Sequence, residues 1–384
     1  MDHTHILEEL SKLTASGLKR TLKLVEGPQG PKVHINGQEV ILLCSNDYLG
    51  LANHPEVKTA AVRAIETYGV GAGASRLVSG NMEPHIMLEE RIKRFKGTEA
   101  ALLFNSGYNA NIGCISALSD RSTDIFSDKL NHASIVDACI LSRANVKRYP
   151  NRDVESLEGL LKRSAAKKKL IVTDGVFSMD GTIAPLGEIV PLLDRYGATL
   201  IVDDAHSTGV LGKSGRGTLE HLGVSHPSII QMGTLGKALG SFGAFIAGRA
   251  ELIDLLISRA RPFIYTTALP PAICAASIKA FDIIEREPGL RKALQENSDY
   301  VRRELGSAGL DTLDSATQII PVLTGDAKRT MEASKALMDK GVFIQGIRPP
   351  TVPEGASRLR ITVMATHAKD DLYKAVKAIK EVLI

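Results

Sequence analysis

The chain has 384 residues, and its 47 lysines and arginines against 43 aspartates and glutamates leave a formal charge of only +4. So small an excess argues against a nucleic-acid groove or an anionic membrane surface as the main partner. Hydrophobic residues make up 44% and charged residues 23% of the chain, which excludes the collagen-like, disordered and disulfide-scaffold classes. At about 150 residues per domain, the length predicts two to three domains.

The cysteines and the N-terminal residues indicate the cellular compartment of the protein. Four widely separated cysteines form no ligand spacing for zinc and predict scattered reduced thiols, namely Cys44, Cys114, Cys139 and Cys274. The N-terminal residues contain no apolar run typical of a signal peptide. No stretch approaches the roughly 18 apolar residues that a membrane-spanning helix requires. We therefore predict a soluble, cytoplasmic protein with neither a metal site nor a membrane partner.

Short apolar runs that end in polar residues or glycine recur along the first three quarters of the chain. Because they alternate with helical patterns, they predict a mostly parallel sheet covered on both faces. The predicted strands are Ala100–Phe104, Thr123–Phe126, Leu170–Val172, Leu200–Val202 and Ile229–Met232. Ligands of such sheets bind at the carboxyl ends of the strands, so the polar residues that follow these runs are candidates for a site.

The pattern changes at Glu285–Gly289, where a polar helical stretch begins. Two further strands are predicted at Ile319–Leu323 and Leu359–Val363, and a final helix carries an apolar stripe at spacings of four, three and four residues. That stripe consists of Leu372, Val376, Ile379 and Leu383. We predict three regions: an N-terminal arm at 1–45, a large domain at 46–285 and a smaller α+β C-terminal domain at 286–384.

Lys237 lies in the glycine-rich segment Gly233-Thr-Leu-Gly-Lys-Ala-Leu-Gly, just after a predicted strand. Gln231 and Ala238 stand where a Walker A loop needs glycine and a hydroxyl residue, so the segment is not a nucleotide-binding P-loop. Two interpretations remain for the lysine. It is either a surface lysine in a flexible loop, or a lysine that forms a Schiff base with a carbonyl cofactor.

Asp203 follows the strand Leu200–Val202, and His206 comes three residues later. A carboxylate at a strand end can hold a protonated pyridine nitrogen, which favours a pyridoxal cofactor. The pair Asp203 and Asp204 could instead bind Mg²⁺, but a nucleotide-type magnesium site needs a phosphate-binding loop that this sequence lacks. The aspartate therefore supports the cofactor interpretation of Lys237.

Each of three further positions allows two interpretations when only its residue type and sequence neighbours are considered. Ser106-Gly-Tyr follows a strand and begins a helix, so its backbone N–H groups predict either a phosphate site or simple helix capping. His132 is either structural or a ring that stacks on a flat cofactor. Arg348 precedes two prolines that stiffen its loop, and it either binds a carboxylate in bidentate fashion or forms a surface ion pair.

Six segments in one order make the sequence distinctive. They are Ser-Asn-Asp-Tyr-Leu-Gly-Leu at 45–51, Ser-Gly-Tyr at 106–108, Asn-His-Ala-Ser at 131–134, Thr-Asp-Gly-Val-Phe-Ser-Met-Asp-Gly at 173–181, Asp-Asp-Ala-His-Ser-Thr-Gly at 203–209 and Thr-Leu-Gly-Lys at 234–237. Together they resemble the α-oxoamine synthase family of enzymes that depend on pyridoxal 5'-phosphate (PLP). The resemblance covers nearly the whole chain. It implies an α/β fold-type I PLP-dependent transferase, with a mostly parallel sheet in the large domain and a smaller α+β domain.

The resemblance implies a role for each matching residue around the cofactor. Lys237 would bind PLP covalently and act as the base on the amino-acid substrate, while Asp203 would hold the pyridine nitrogen. His132 would stack on the ring and help to position the substrate. Five further residues would contact the phenolic oxygen or the phosphate, namely Ser178, His206, Gly107, Tyr108 and Thr234.

For the substrate, the resemblance implies that Arg348 binds the amino-acid carboxylate and that Arg20 and Thr351 make further contacts. The segment 347–355, Ile-Arg-Pro-Pro-Thr-Val-Pro-Glu-Gly, most resembles family members that condense L-alanine with a pimeloyl thioester of CoA or acyl carrier protein (ACP) in biotin biosynthesis. A homodimer with shared active sites is implied as well, in which Thr266 and Thr267 reach the neighbour's phosphate. The alternatives are a glycine C-acetyltransferase acting on glycine and acetyl-CoA, and a non-catalytic α/β binding protein.

Overall fold

The computed structural model describes residues 3–16 and 18–384, so positions 1, 2 and 17 of the predicted arm lie outside the described residues. The helices of the described residues, in chain order, are α1 (His3–Ala15), α2 (Pro55–Tyr68), α3 (Glu83–Lys96), α4 (Gly107–Leu118), α5 (Ala133–Leu141), α6 (Val154–Lys162), α7 (Leu186–Tyr196), α8 (Thr218–Leu222), α9 (Ala250–Arg259), α10 (Arg261–Ile264), α11 (Pro271–Arg286), α12 (Pro288–Gly306), α13 (Ala327–Asp339) and α14 (Lys369–Leu383). The strands are β1 (Lys32–Ile35), β2 (Gln38–Leu42), β3 (Ala100–Phe104), β4 (Thr123–Asp128), β5 (Asn145–Tyr149), β6 (Lys168–Asp174), β7 (Ala198–Asp203), β8 (Ile229–Thr234), β9 (Ala244–Gly248), β10 (Ile319–Gly325), β11 (Val342–Phe343), β12 (Gln345–Ile347) and β13 (Ser357–Thr362).

The chain divides into two compact units, and each is described by itself. The larger unit consists of Asn46–Ser178 and Thr182–Ala293, and the smaller unit consists of the described residues of Met1–Ser45 together with Met179–Gly181 and Leu294–Ile384. The division near residue 293 falls inside α12, eight residues after the predicted boundary. The change of pattern at Glu285–Gly289 coincides with the end of α11 and the start of α12.

The larger unit is built on a seven-stranded sheet with the order β3-β9-β8-β7-β6-β4-β5. All its neighbouring strands pair in parallel except at β9, so the predicted mostly parallel sheet is confirmed. Successive residues of one strand point to opposite faces. In β7, Ile201 belongs to the apolar core that contains residues of α4 and α5, whereas Leu200 and Val202 belong to the core that contains residues of α6 and α7. Helices therefore cover both faces.

The ends of three central strands carry the chemistry. The strands β6, β7 and β8 run slightly beyond the predicted apolar runs, so that their last residues are Asp174, Asp203 and Thr234. Because β6, β7 and β8 are parallel neighbours, these three residues lie at one edge of the sheet. In the ladder, Asp174 is directly opposite Asp203.

The smaller unit contains two three-stranded sheets, with the orders β1-β2-β11 and β10-β13-β12. β13 is the central strand of the second sheet and pairs antiparallel with both neighbours. The final helix α14 begins at Lys369 and buries three members of its predicted stripe, Leu372, Val376 and Ile379. These elements agree with the predicted α+β character of the C-terminal region.

Two further findings concern the length of the helices and the state of the cysteines in the described residues. None of their helices is both long enough and apolar enough to pass through a membrane. All four cysteines are free thiols, and burial raises the pKa of each of them to about 12. The protonated thiol is a poor nucleophile, so these cysteines act as small apolar side chains.

Candidate active site

A cavity of about 180 Å³ lies at the carboxyl edge of the large sheet, wholly within the larger unit. Its lining includes the last residues of β6, β7 and β8 and the first residues of α4. Eight of the eleven predicted site residues line it, namely Gly107, Tyr108, His132, Ser178, Asp203, His206, Thr234 and Lys237. The sheet edge thus brings together residues that are up to 130 positions apart in the sequence.

Lys237 lies in a tight turn that follows β8. The turn is closed by hydrogen bonds from the N–H of Leu235 to the carbonyl of Gly243 and from the N–H of Gly240 to the carbonyl of Lys237. The amine Nζ of Lys237 lies 2.9 Å from Nε2 of His206. The lysine is therefore a positioned, partly buried amine, which favours the cofactor interpretation over a surface lysine in a flexible loop.

Asp203 is buried, and each of its carboxylate oxygens accepts a hydrogen bond. The backbone N–H of Ala205 donates to Oδ1 at 3.0 Å, and the amide Nδ2 of Asn111 donates to Oδ2 at 2.8 Å. The other hydrogen of that amide is directed at Oγ of Ser134, 2.9 Å away. Ser134 Oγ in turn lies 2.8 Å from Nδ1 of His132. Asn111, which no sequence pattern marks as a site residue, therefore connects the two candidate cofactor residues.

Asp174 is a second buried carboxyl group beside Asp203. Burial, and next the negative charge of Asp203, raise the pKa of Asp174 well above its usual value. Its Oδ2 accepts a hydrogen bond from the backbone N–H of His132 at 3.0 Å. Asp174 thus fixes the backbone from which the His132 ring extends into the cavity.

His132 is the N-cap of helix α5, and its Nδ1 accepts a hydrogen bond from the N–H of Ser134 at 3.2 Å. Burial lowers the pKa of His132, and the positive charge of Lys237 acts in the same direction, whereas Asp203 opposes it. The imidazole is therefore neutral at pH 7. A neutral, fixed ring at the wall of the cavity suits contact with a flat, apolar ring face.

The N-terminus of α4 opens onto the same cavity. Ser106 is the N-cap of this helix, and its Oγ accepts a hydrogen bond from the N–H of Asn109 at 3.2 Å. Gly107 and Tyr108 follow it, and the Tyr108 hydroxyl donates to Asp137. The capping interpretation and the anion-site interpretation are compatible, because one cap leaves other backbone N–H groups of the first turn available.

Asp204 does not line the cavity and is used elsewhere. Its Oδ2 lies 3.1 Å from Nζ of Lys96 in a fully buried ion pair. Ser207 donates to Oδ1 of Asp204 at 2.5 Å, and the Thr218 hydroxyl donates to the same oxygen. This arrangement disfavours the alternative in which Asp203 and Asp204 together bind Mg²⁺.

The three remaining predicted site residues come together in the smaller unit. Arg20 Nη2 donates to the hydroxyl of Thr351 at 3.3 Å. Arg348 Nη2 donates to the carbonyl of Lys19 at 3.3 Å. The arm segment around Arg20 therefore lies against the loop that carries Arg348 and Thr351, as a shared substrate contact would require.

Comparison with known proteins adds independent information. The family model described as aminotransferase class I and II matches residues 38–379. The 8-amino-7-oxononanoate synthase of Geotalea daltonii is 57% identical over 379 residues, which cover 98% of this chain and 96% of the relative. The protein of the same name from Geobacter sulfurreducens is 56% identical over 380 residues, with 98% and 97% coverage.

Solved structures agree in fold. The chain resembles a serine palmitoyltransferase from S. paucimobilis, solved with bound PLP and myriocin, with a TM-score of 0.93 and 30% identity over 98% of this chain and 96% of that one. It also resembles the 8-amino-7-oxononanoate synthase of Francisella tularensis, with a TM-score of 0.78 and 29% identity over 89% of this chain and 97% of that one. The likeness extends over nearly the full length of each.

Proposed function

This chain belongs to the class I and II aminotransferase family, and from that premise we propose that it condenses L-alanine with a pimeloyl thioester to give 8-amino-7-oxononanoate, a free thiol and CO₂. The observation that carries the proposal is the 57% identity to an 8-amino-7-oxononanoate synthase over 98% of the chain. The chain is a PLP-dependent acyltransferase with a fold-type I architecture. The reaction belongs to biotin biosynthesis.

The donor set of the cavity fits PLP. A helix N-terminus can bind the phosphate through backbone N–H groups, and Gly107, Tyr108 and Thr234 are the residues we assign to it. The buried Asp203 carboxylate suits a protonated pyridine nitrogen, and Ser178 and His206 suit the phenolic oxygen. The Lys237 amine suits the aldehyde carbon, and His132 suits the ring face. When bound, PLP supplies an electron sink that stabilises negative charge at the α-carbon of an amino acid.

We assign the proton transfers of the reaction to Lys237. The reaction joins the α-carbon of L-alanine to the thioester carbonyl carbon, expels the thiol and loses the alanine carboxylate as CO₂. A base must therefore remove the α-proton before the new bond forms, and an acid must return a proton to the same carbon after CO₂ leaves. Lys237 Nζ is the amine of the cavity, and the neighbouring His206 lies 2.9 Å away to share its proton.

The substrate assignments rest on the smaller unit. Arg348 carries a planar guanidinium on a loop stiffened by Pro349 and Pro350, which suits the carboxylate of the amino acid. The hydrogen bond from Arg20 to Thr351 supports their assignment as further substrate contacts. Small molecules are the substrates; the finer proposals are a homodimer with shared sites, ACP as an alternative acyl carrier, and a cytoplasmic location.

The test is release of free thiol by the purified, PLP-loaded protein. We expect activity with L-alanine and pimeloyl-CoA or pimeloyl-ACP, and little with glycine and acetyl-CoA. Lys237→Ala should abolish both thiol release and the lysine-linked visible absorbance. Lys213→Ala, which alters an exposed lysine of the larger unit, should leave both unchanged. A preference for glycine and acetyl-CoA would overturn the assignment of the substrates but not that of the cofactor.

A further inference from the structure

The side-chain amide of Asn111 lies between two residues that the proposed function assigns to the cofactor. Its nitrogen Nδ2 donates to Oδ2 of Asp203 at 2.8 Å and to Oγ of Ser134 at 2.9 Å. Ser134 Oγ lies 2.8 Å from Nδ1 of His132. Asn111 and Ser134 have no exposed surface, and Asp203 is buried. Asn111 has no role in the reaction as described above.

The carboxylate of Asp203 fixes the orientation of this amide. A carboxylate oxygen accepts hydrogen bonds and cannot donate them, so the atom of Asn111 that faces Asp203 is its nitrogen. The other carboxylate oxygen of Asp203, Oδ1, accepts from the backbone N–H of Ala205 at 3.0 Å. Asp203 is therefore held at both oxygens, and its carboxylate cannot rotate without breaking a hydrogen bond.

Asp203 and Asp174 are two neighbouring buried carboxyl groups, directly opposite each other in the β6–β7 ladder. Ionising both at once is unfavourable, because like charges repel. Within the described residues, the amide of Asn111 donates to Asp203 and not to Asp174. A hydrogen bond to a charged oxygen stabilises the ionised form. Burial and the charge of Asp203 raise the pKa of Asp174 well above its usual value, so Asp203 is the group that carries the charge.

We propose that Asn111 is a positioning residue that keeps the Asp203 carboxylate ionised and fixed in orientation for the pyridine nitrogen of PLP. Asp203 and that nitrogen share one proton. If the proton moves to Asp203, the N–H bond breaks, its electron pair stays on the nitrogen and an O–H bond forms; the ring then loses the positive charge that makes it an electron sink. Donation from Asn111 keeps the proton on the nitrogen, because it stabilises the charged oxygen. The proposed function supplies the pyridine nitrogen, so the inference rests on it.

The helix that carries Asn111 is also the one whose N-terminus opens onto the cavity. Asn111 follows Gly107 by four positions in α4, so the two residues lie on the same face of the helix, one turn apart. Gly107 lines the cavity, whereas Asn111 is fully buried. One helix therefore carries a residue assigned to the phosphate and positions the carboxylate assigned to the pyridine nitrogen.

Stability does not account for an amide at this position. Within the part of the chain that the structure describes, Oδ1 of Asn111 has no hydrogen-bond partner, and an unpaired buried oxygen costs free energy. Asn111→Ala removes that oxygen together with both donated hydrogen bonds, and Asn111→Leu does the same while filling the space. A matched control is Asn145→Ala, because Asn145 Nδ2 also donates to a carboxylate oxygen, Oδ1 of Asp124, at 2.8 Å. Neither Asn145 nor Asp124 lines the cavity.

The first experiment locates the shared proton. In the loaded protein, the ¹⁵N chemical shift of PLP labelled at the pyridine nitrogen distinguishes a protonated from an unprotonated nitrogen. We expect a protonated nitrogen in the wild type and in Asn145→Ala, and a shift towards the unprotonated value in Asn111→Ala and Asn111→Leu. The other ionisable groups around Asp203 stay in place in every variant, namely His132, Asp174 and Lys237. A wild-type shift in both Asn111 variants would overturn the inference and leave the proposed function intact.

The second experiment measures the affinity of the PLP-free protein for PLP, by titration of the lysine-linked visible band at pH 7. We expect both Asn111 variants to bind PLP about tenfold more weakly than the wild type, because each loses a hydrogen bond to a charged group. Asn145→Ala should keep the wild-type affinity. Equal affinities in all four proteins would contradict the inference alone, whereas failure of the wild type to bind PLP would overturn the proposed function as well.

Discussion

Burial holds several histidines of this chain in the neutral state, and His367 in the smaller unit is the clearest case. Its Nδ1 accepts a hydrogen bond from the N–H of Met364 at 2.9 Å, and its Nε2 lies 3.1 Å from the carbonyl of Leu42. Both contacts require the neutral Nε2–H tautomer. Burial lowers the pKa of His367 to about 4 from a usual value of 6.5. A proton on Nδ1 would face another N–H group, so acid should destabilise the fold here.

We predict that the contribution of His367 to stability disappears as the pH falls from 6.5 towards 4. The unfolded chain binds the proton at the higher pH because its histidine has the higher pKa, so the contribution is complete above 6.5 and lost through 4. The wild type should lose about 2 kcal/mol of unfolding free energy relative to His367→Gln between pH 7 and pH 5. Urea unfolding of both proteins at each pH measures this difference.

The comparison with His367→Gln isolates one group. Other titrating residues contribute equally to both proteins, including Asp47, whose pKa burial raises to about 6 and whose effect on stability has the opposite sign. A difference in unfolding free energy that stays constant from pH 7 to pH 5 would contradict the assigned role of His367.

For single residues, the sequence predicts the reactive side chains better than it predicts the side chains that form hydrogen bonds with them. Lys237, Asp203 and His132 stand out in the sequence because they are ionisable residues that follow predicted strands. Asn111 lies outside every distinctive segment, and Tyr48 stands out only as a member of the segment at 45–51, because asparagine and tyrosine are ordinary residues in a helix or loop. Tyr48 meets His206 across 158 positions of sequence, and only the folded backbone establishes that pairing.

At the scale of the elements, the sequence predicts the parallel strands of the large sheet better than it predicts the antiparallel strand β9. Five predicted strands lie within observed strands, since continuous apolar runs are typical of strands buried on both faces. β9, at Ala244–Gly248, lies outside the predicted strands and pairs antiparallel with β3 and β8. β9 is a short apolar strand of five residues that are all buried. The residue pattern of such a strand does not distinguish a parallel from an antiparallel direction. The glycines before it suggested only a loop.

The glycine-rich segment at positions 69–80 contains one glycine that the fold requires and one that it does not. A Cβ at Gly80 would lie 2.1 Å from the carbonyl oxygen of Ala74, which accepts a hydrogen bond from the N–H of Ala268. A Cβ at Gly71 would meet nothing within 4 Å. The two positions therefore form a matched pair within one loop.

We predict that Gly80→Ala lowers the free energy of unfolding by about 2 kcal/mol, because the added methyl group must displace backbone atoms. Gly71→Ala should be neutral or stabilising by up to about 1 kcal/mol, because it reduces the freedom of the unfolded chain. Denaturant unfolding of both variants provides the measurement. Equal effects of the two substitutions would show that the close approach at Gly80 does not constrain the loop.

For the whole molecule, exposed apolar side chains near this loop support the proposed homodimer. Val70 is 76% exposed, Val78 is 80% exposed and Tyr265 is 71% exposed. Ser75 and Thr267 form an isolated bridge, which brings the segment with Tyr265 to the glycine-rich loop. A concentration of large apolar side chains at a surface is typical of a protein interface. Thr266 and Thr267 follow Tyr265, so the same surface carries the residues predicted to reach a neighbour's phosphate.

Shared sites make a specific prediction for mixed dimers. One chain carries Lys237→Ala, and the other carries Thr266→Val together with Thr267→Val; each alone should have little activity. In a heterodimer, one site combines the intact lysine of one chain with the intact threonines of the other. Random pairing of equal amounts should therefore restore about a quarter of wild-type thiol release. Lys237→Ala mixed with Asp203→Asn is the control, because both residues line the cavity of a single chain, and no pairing completes a site. Recovery in the control, or none in the threonine mixture, would contradict sites shared through these threonines.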